Sequence, residues 1–337
     1  MSGPRVLVIH AGGTIGMERV GGVYRPAPGR LAARLEAMAE LREAPLPRFA
    51  LLEEEPLLDS ADMRPRDWQR IAELIAAHDD AFDGFVVLHG TDTMAYTASA
   101  LSFMLENLAK PVILTGSQIP LAELRSDARE NLITALLLAA EPRLAEVCLY
   151  FGGTLLRGNR STKVSASGFG AFASPNFSPL GRVGVEIALA PALLRPPGRG
   201  ALRVQPLAEV QVAALRLFPG ITAELLQNVL LEPIQGLVLE TYGAGNAPAD
   251  EALLSVLRRA CARGVVIVNC SQCLHGRVEM ASYATGRALQ EAGVVSGFDL
   301  TPEAALCKLL YLFSKGLGAA EVRDAMQRDL RGELSPA

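Results

Sequence analysis

The chain has 337 residues, is half hydrophobic by count and carries a net charge of −4 at pH 7, so it can bury the core of one large or two ordinary domains. The acidic balance, without a cluster of basic residues interleaved with aromatics, argues against nucleic acid as a partner. No apolar run reaches the ~20 residues that span a bilayer, and the first residues lack the pattern of a signal peptide. We therefore expect a cytoplasmic protein, not bound to a membrane, with a small-molecule substrate.

The five cysteines and four histidines further narrow the chemistry. An odd number of cysteines fits reduced thiols better than a disulfide framework. Cys270-Ser-Gln-Cys273 has the spacing of a redox motif or half a metal site, but no second pair accompanies it, so we interpret both thiols as structural. A zinc site or a histidine triad has few residues to draw on. We expect no metal and no cofactor.

Apolar strands alternate with helical patterns through the first half of the chain, which predicts an α/β fold with a parallel sheet. The predicted strands are Arg5–His10, Phe49–Leu52, Phe85–Leu88, Pro111–Thr115 and Glu146–Phe151. The predicted helices are Gly29–Glu40, Pro65–His78, one that begins at Thr93, and Ser126–Ala140. From Arg157 to Leu180 the pattern gives way to Gly, Ser, Asn and Pro, which indicates a long irregular segment of the kind that is often functional.

A proline-rich stretch divides the chain. We predict an N-terminal catalytic domain at residues 1–190, a linker at 191–211 and a smaller α/β domain at 212–337. In the smaller domain the predicted strands are Val212–Leu217, Gly236–Glu240 and Gly264–Asn269, and the predicted helices are Ile221–Leu230, Asp250–Arg263, Pro302–Ser314 and Ala319–Arg328.

Two predicted strands end in glycine turns that carry a threonine. The first continues as Ala11-Gly-Gly-Thr-Ile-Gly16 and the other as His89-Gly-Thr-Asp-Thr-Met94. Ligands of open α/β sheets bind at the carboxyl ends of the strands, so Thr14, Thr91, Asp92 and Ser117 are candidates to share one crevice. Each motif alone could be a tight turn or a helix cap. Neither completes the GxGxxG pattern of a dehydrogenase or a Walker sequence.

Two further segments add chemistry to this edge. Leu58-Asp-Ser-Ala-Asp-Met63 is a polar turn, and Arg157-Gly-Asn-Arg-Ser-Thr-Lys163 supplies an amine. A hydroxyl, a carboxylate and an amine can relay protons in acyl transfer without a metal or cofactor. Lys163 beside Asp92 would be worth roughly 10²–10⁴-fold in rate, although Lys163 taken alone fits a solvated surface lysine better. The glycine-flanked segment around Tyr24 suits a lid or plain packing.

Together with Ser117-Gln-Ile-Pro120 and Arg125-Ser-Asp127, these motifs resemble the bacterial L-asparaginases, and most closely the cytoplasmic type I branch, from the first strand to Leu330-Arg-Gly-Glu-Leu-Ser-Pro336. The resemblance implies hydrolysis of L-asparagine on a two-domain fold whose larger N-terminal domain is flavodoxin-like. It implies a threonine nucleophile that forms a β-aspartyl ester, assisted by a tyrosine in a mobile lid and by a second triad. The implied catalytic residues are Thr14, Tyr24, Thr91, Asp92 and Lys163. The expected substrate-binding residues are Asp59, Ser60, Thr91, Asp92, Ser117 and Asn246.

The resemblance also implies an assembly and an effector site. Family members form dimers, usually paired into tetramers, so we expect a homodimer or homotetramer in which Asn246 reaches the neighbouring subunit's site. Some type I relatives bind a second asparagine as an activator, where Thr162 and Cys273 would lie. Because position 240 is Glu rather than a basic residue, we predict weak or absent activation.

Three alternatives remain open. A glutaminase-asparaginase of broader specificity is the nearest, since one methylene in a pocket is worth only ~1–3 kcal/mol. An amidase for glutaminyl adducts of tRNA is disfavoured by the lack of a basic surface and of an additional N-terminal module. A non-catalytic asparagine sensor would need Asp59, Ser60 and Asp92, but neither the nucleophile nor Lys163.

Overall fold

The structure, a computed structural model, describes residues 3–335, which form two compact units. The first unit extends to Ser174 and resumes at Ser178–Val204, and the second comprises Pro175–Phe177 and the residues from Gln205 onward. Each unit has its own mainly parallel sheet with helices. The α/β class predicted from the alternating pattern is confirmed. The later division between the units falls between Val204 and Gln205, and the linker at residues 191–211 stays a prediction.

The first unit contains most of the strands. They are β1 (Arg5–Gly12), β2 (Met17–Val20), β3 (Val23–Pro26), β4 (Arg48–Leu58), β5 (Gly84–Leu88), β6 (Leu105–Glu106), β7 (Val112–Thr115), β8 (Val147–Phe151), β9 (Thr154–Arg157), β10 (Thr162–Lys163), β11 (Phe172–Ala173), β12 (Gly181–Val183), β13 (Ile187–Leu189) and β14 (Arg203–Val204). Its helices are α1 (Arg30–Ala37), α2 (Pro65–Ala77), α3 (Met94–Met104) and α4 (Ala128–Ala139).

The large sheet has the strand order β13-β12-β9-β8-β7-β5-β1-β4. Strands β4, β1, β5, β7 and β8 run parallel, and β9, β12 and β13 extend the sheet with antiparallel pairings. Numbered by their appearance along the chain, the parallel strands lie in the order 2-1-3-4-5, which is the flavodoxin-like order. Its switch point, the place where ligands bind in such sheets, lies between β1 and β5.

Burial explains why these segments form a doubly covered sheet. Every residue of β5, β7 and β8 is buried, as expected of parallel strands covered by helices on both faces. Helix α3 is buried around nearly its whole circumference. Helix α2 is amphipathic, begins with Pro65 and is closed at its N-terminus by Asp67, whose carboxylate accepts a hydrogen bond from the Arg64 amide at 2.7 Å.

The second unit has a four-stranded parallel sheet in the order β15-β16-β17-β18. Its elements are β15 (Val212–Arg216), α5 (Ala223–Val229), β16 (Gly236–Thr241), α6 (Glu251–Ala262), β17 (Val266–Ser271), α7 (Ala284–Glu291), β18 (Val295–Ser296), α8 (Pro302–Ser314) and α9 (Ala319–Met326). Leu, Val and Ile side chains from one face of this sheet pack with side chains of its helices in a hydrophobic core. The sequence patterns did not identify α7 and β18.

Other differences concern lengths and loops. Strand β4 is much longer than the predicted Phe49–Leu52, because it pairs along the whole of β1. The expected lid is an antiparallel hairpin, β2–β3, that turns at Gly21 and Gly22. The segment predicted as irregular contains the short pair β10–β11. Within residues 3–335, no helix is long and apolar enough to cross a membrane.

Candidate active site

Thr14 and Thr91 lie at the switch point of the large sheet. Thr14 begins a single 3₁₀ turn directly after β1, and Thr91 lies in the loop after β5. The two strands are neighbours, with His10 opposite Leu88 in their register. The topology thus brings the two threonine loops side by side, as the sequence predicted.

Three loops pack against one another at this point without room for side chains. The Gly13 amide donates a hydrogen bond to the Leu58 carbonyl at 3.1 Å. A Cβ on Gly13 would overlap the backbone of Gly90, and a Cβ on Gly12 would overlap the backbone of Leu58. Both glycines also have positive φ angles, +127° for Gly12 and +87° for Gly13, which other residues rarely adopt. The glycines after β1 therefore fix the position of Thr14 against the loops after β4 and β5.

Thr91, Asp92 and Lys163 form a hydrogen-bonded cluster. Lys163 Nζ donates to Thr91 Oγ1 at 2.7 Å and to Asp92 Oδ1 at 2.6 Å. The Thr91 residue is 5% exposed, whereas the side chains of Lys163 and Asp92 are 19% and 66% exposed. The cluster therefore joins a buried hydroxyl to charged groups that solvent can reach, and this arrangement can carry a proton between them.

Gln118 is a member of this cluster that the sequence reasoning missed. Its Oε1 accepts a hydrogen bond from Thr91 Oγ1 at 3.4 Å, and its Nε2 donates to the Gly168 carbonyl at 3.0 Å. The Asp127 carboxylate in turn accepts from the backbone amides of Gln118 and Ile119 at 3.0–3.1 Å. The position of Gln118 directly after Ser117, in the loop after β7, is the only sequence signal that could have identified it.

Ser117 and Ser60 are both buried. The Ser117 hydroxyl has no hydrogen-bond partner among residues 3–335. Ser60 packs against Gly90, where an added Cβ would lie 2.5 Å from Ser60 Oγ, and its carbonyl accepts from Thr93 Oγ1 at 2.7 Å. Asp59 beside it is exposed, and its carboxylate accepts from the Ala61 amide at 3.1 Å.

Tyr24 is partly exposed on the β2–β3 hairpin. Its hydroxyl donates to Glu123 Oε1 at 3.4 Å, and the Arg19 guanidinium lies 5.8 Å from the centre of its ring. Thr14 itself is half-buried, and its hydroxyl has no hydrogen-bond partner in the described chain. The structure therefore brings the loops of Thr14 and Thr91 together, and it places the tyrosine hydroxyl on Glu123.

Two histidines are buried behind the threonine loops. Both ring nitrogens of His89 have partners: Nδ1 donates to the Gly90 carbonyl at 2.7 Å, and Nε2 accepts from Thr97 Oγ1 at 2.8 Å. Burial lowers the pKa of His89 to about 4, partly opposed by the hydrogen bond to Gly90. Burial also lowers the pKa of His10, while Glu53 acts in the opposite direction. Both rings are therefore neutral at pH 7.

The second unit contains Asn246, Glu240 and Cys273, whereas Thr162, the other residue of the expected effector site, lies on β10 in the first unit. Asn246 Oδ1 accepts from Thr285 Oγ1 at 2.8 Å. Glu240 pairs with Arg216, whose Nε and Nη2 atoms lie 3.0 and 2.7 Å from its Oε2. This pairing neutralises the charge from which we predicted weak activation, so repulsion by Glu240 alone is a weaker argument than the sequence indicated.

All five cysteines are free thiols. Cys270 is buried, and burial, together with the charges of Glu240 and Glu303, raises its pKa. Cys273 is exposed. Because a buried thiol with a raised pKa is a poor nucleophile, the geometry around Cys270 fits a structural role.

Comparison with known proteins identifies the family. A family model described as "Asparaginase, N-terminal" matches residues 5–194, and the "Glutaminase/Asparaginase C-terminal domain" model matches residues 211–326. The chain belongs to the asparaginase family. The resemblance noted from the threonine motifs is thereby confirmed.

Relatives match this asparaginase along its whole length. L-asparaginase 1 of Escherichia coli K12 is 52% identical over 331 residues, which cover 98% of each chain. The crystal structure of L-asparaginase I from Vibrio cholerae superimposes with a TM-score of 0.92 at 48% identity, covering 99% of this chain and 100% of that one. The thermostable L-asparaginase of Thermococcus kodakarensis superimposes with a TM-score of 0.89 at 35% identity, with the same coverage.

Proposed function

We propose that this chain hydrolyses L-asparagine to L-aspartate and ammonia through an ester on Thr14. The observation that carries the proposal is the Lys163 amine, which donates to both Thr91 and Asp92 at the switch point where the Thr14 loop is packed. Full-length similarity to L-asparaginase 1 supports the amide as substrate.

The residues divide the reaction into two acyl transfers. Thr14 Oγ1 attacks the carbonyl carbon of the substrate amide, the C–N bond breaks, and ammonia leaves with a proton. Water then attacks the ester carbon, which releases aspartate and restores the Thr14 hydroxyl. Thr91, Lys163 and Asp92 carry the protons in and out. Backbone N–H groups of the two threonine loops stabilise the oxyanion, an effect typically worth ~3 kcal/mol per donor.

The polar groups around this centre hold the substrate. The exposed Asp59 carboxylate and the Asp92 carboxylate bind the α-ammonium, and Ser60 contributes to binding the α-carboxylate, which gives buried Ser60 a partner when substrate is bound. The unpartnered Ser117 hydroxyl is a further contributor. Tyr24 assists from the hairpin once it leaves Glu123. Asn246 acts on the site of a neighbouring subunit.

The protein works as a homodimer or homotetramer in the cytoplasm, as its similarity to the type I branch suggests. Analytical ultracentrifugation of the purified protein and fractionation of cells that express it test these two statements. A monomer with full activity would remove the role given to Asn246. Recovery of the protein with the periplasmic fraction would contradict the location.

Ammonia release tests the reaction itself. The wild type should release ammonia from L-asparagine with a much higher kcat/KM than from L-glutamine, and Thr14→Ala should release none from either amide. Comparable rates for the two amides would favour the broader glutaminase-asparaginase. The matching C-terminal family includes glutaminases as well as asparaginases in its description. Binding of asparagine without turnover would favour a sensor. A sigmoidal dependence on asparagine would contradict the predicted lack of activation.

A further inference from the structure

His10 lies directly beneath the turn that carries Thr14. The ring is on β1, is 1% exposed, and has its Nδ1 atom 3.1 Å from Glu53 Oε2 on β4. A Cβ on Gly16 would lie only 2.6 Å from ring atoms Cε1 and Nε2. The turn Thr14–Gly16 therefore rests on the edge of the imidazole, and only glycine fits at its last position.

Glu53 ties the same ring to a second place in the chain. Its other oxygen, Oε1, accepts a hydrogen bond from the Gly29 amide at 2.7 Å. Gly16 directly precedes the β2–β3 hairpin and Gly29 directly precedes α1. The two ends of the segment that carries Tyr24 are thus held by one histidine and one carboxylate, which we call the His10–Glu53 clamp.

The state of the ring follows from its partners. Because the Glu53 carboxylate only accepts, Nδ1 of His10 carries the proton, and Nε2 is a buried acceptor with no partner among residues 3–335. Glu53 is the charged side chain that contacts the ring, whereas β5 offers Leu88 in register and the turn offers Gly16. A second proton on Nε2 would therefore have no acceptor among residues 3–335.

We propose that the His10–Glu53 clamp positions the Thr14 hydroxyl for attack by holding the Thr14–Gly16 turn and the base of the Tyr24 hairpin in one arrangement. His10 is a positioning residue, since it contacts the turn and not the substrate. The inference rests on the proposed role of Thr14. Small displacements of a reacting group are costly, and a shift of about 1 Å reduces rates by on the order of 10²-fold.

Three variants separate the parts of the clamp. His10→Asn retains a donor for Glu53 but removes the ring edge beneath Gly16. His10→Phe keeps a ring but removes the hydrogen bond, and Glu53→Gln weakens the link to both His10 and Gly29. We expect kcat to fall by about 10- to 100-fold in His10→Asn and by less in the other two, with little change in KM. His78→Phe alters the histidine directly after α2, which bonds to the Leu74 carbonyl. It is the matched control and should retain wild-type kinetics.

The pH profile provides a readout that packing alone would not move. Burial keeps the pKa of His10 below 6.5, so the wild-type kcat should decline in acid with an ionisation below 6.5 that His10→Phe lacks and His78→Phe retains. Folded fractions from circular dichroism correct each kcat for misfolded protein. Wild-type kcat and an unchanged acid limb in folded His10→Phe and Glu53→Gln would overturn the proposal.

Thr14→Ala, assayed beside these variants, keeps the two proposals apart. Full turnover in Thr14→Ala would refute the ester mechanism itself, and the clamp would then have nothing to position. Loss of turnover in Thr14→Ala with wild-type behaviour of folded His10 and Glu53 variants would refute the clamp alone.

Discussion

The two threonine loops have the same plan but are held in different ways. Each follows a parallel strand, contains glycine and has a buried histidine behind it. The Thr91 hydroxyl is fixed by Lys163 and Gln118, and both ring nitrogens of His89 have partners. The Thr14 hydroxyl has no partner in the described chain, and its turn is positioned by backbone packing and by one edge of His10. The fixed Thr91 hydroxyl fits a proton relay, which needs a constant geometry. The Thr14 hydroxyl, which has no partner, fits a nucleophile, because the attacking oxygen must move toward the substrate as the ester bond forms.

Removal of either threonine hydroxyl should have the largest effect on turnover. Thr14→Val and Thr91→Val keep the volume of threonine and should each lower kcat by about 10³-fold or more, the scale of losing one member of a catalytic set. Thr14→Ser and Thr91→Ser restore a hydroxyl and should recover part of the rate. Steady-state ammonia release measures all four variants. Near-normal turnover in Thr14→Val would reverse the assignment of the two threonines.

Loss of the amine should have the next largest effect. Lys163→Met preserves the length of the side chain but removes the donor to Thr91 and Asp92, so kcat should fall by roughly 10²–10⁴-fold. Lys163→Arg retains charge but places it in a different geometry and should not restore the rate. Lys110→Met changes a lysine that pairs with Asp79 and precedes β7, at the opposite end of that strand from Ser117, and it serves as the control. If Lys163→Met retained full activity, the relay would be excluded.

The packing of the Thr14 loop can be tested with two glycines of nearly equal φ angle. Gly13 and Gly22 have φ angles of +87° and +86°, but a Cβ on Gly13 would overlap Gly90, whereas Gly22 has open space around it. Gly22→Ala should lower the free energy of unfolding by about 1–2 kcal/mol from backbone strain. Gly13→Ala adds overpacking and should lower it by about 4 kcal/mol. Equal effects in denaturant titrations would show that the loops do not depend on close contact.

Acid should lower the free energy of unfolding through protonation of His89, which is buried behind the Thr91 loop. Because burial lowers the pKa of His89 from 6.5 to about 4, the unfolded chain binds more protons than the folded one between these values. The contribution of neutral, buried His89 to the free energy of unfolding is complete above pH 6.5. It is lost as the pH falls toward 4, by about 3 kcal/mol in total. His89→Asn should show a shallower decline over the same window in urea titrations. An unchanged slope in the variant would mean that other groups cause the acid sensitivity.

The sequence predicted the parts of the fold and site that local patterns determine. The apolar run of β5 and the glycine turns gave the two threonine loops their place at the edge of the sheet, and the resemblance supplied the flavodoxin-like fold. Strand β18 has two residues, too few to show alternation, and α7 contains Gly286, which weakens a helical pattern.

Side-chain contacts between residues distant in the sequence could not be predicted. The amide of Gln118 resembles any polar loop residue until the fold brings it to Thr91, and Arg216 could not be matched to Glu240 before β15 and β16 were paired in register. The His10–Glu53 contact likewise depends on the pairing of β1 with β4. Such contacts are set by tertiary structure, on which the spacing of residue types carries little information.

The location of the covalent intermediate tests the central claim most directly. Lys163→Met, mixed with L-asparagine and quenched in acid within the first turnovers, should trap the ester, and tryptic mapping by mass spectrometry then locates the added aspartyl group. We expect the group on Thr14, within the peptide that ends at Arg19. An aspartyl group on Thr91 instead, in the peptide that ends at Arg125 because Pro111 blocks cleavage after Lys110, would contradict the distinction between a mobile nucleophile and a fixed relay.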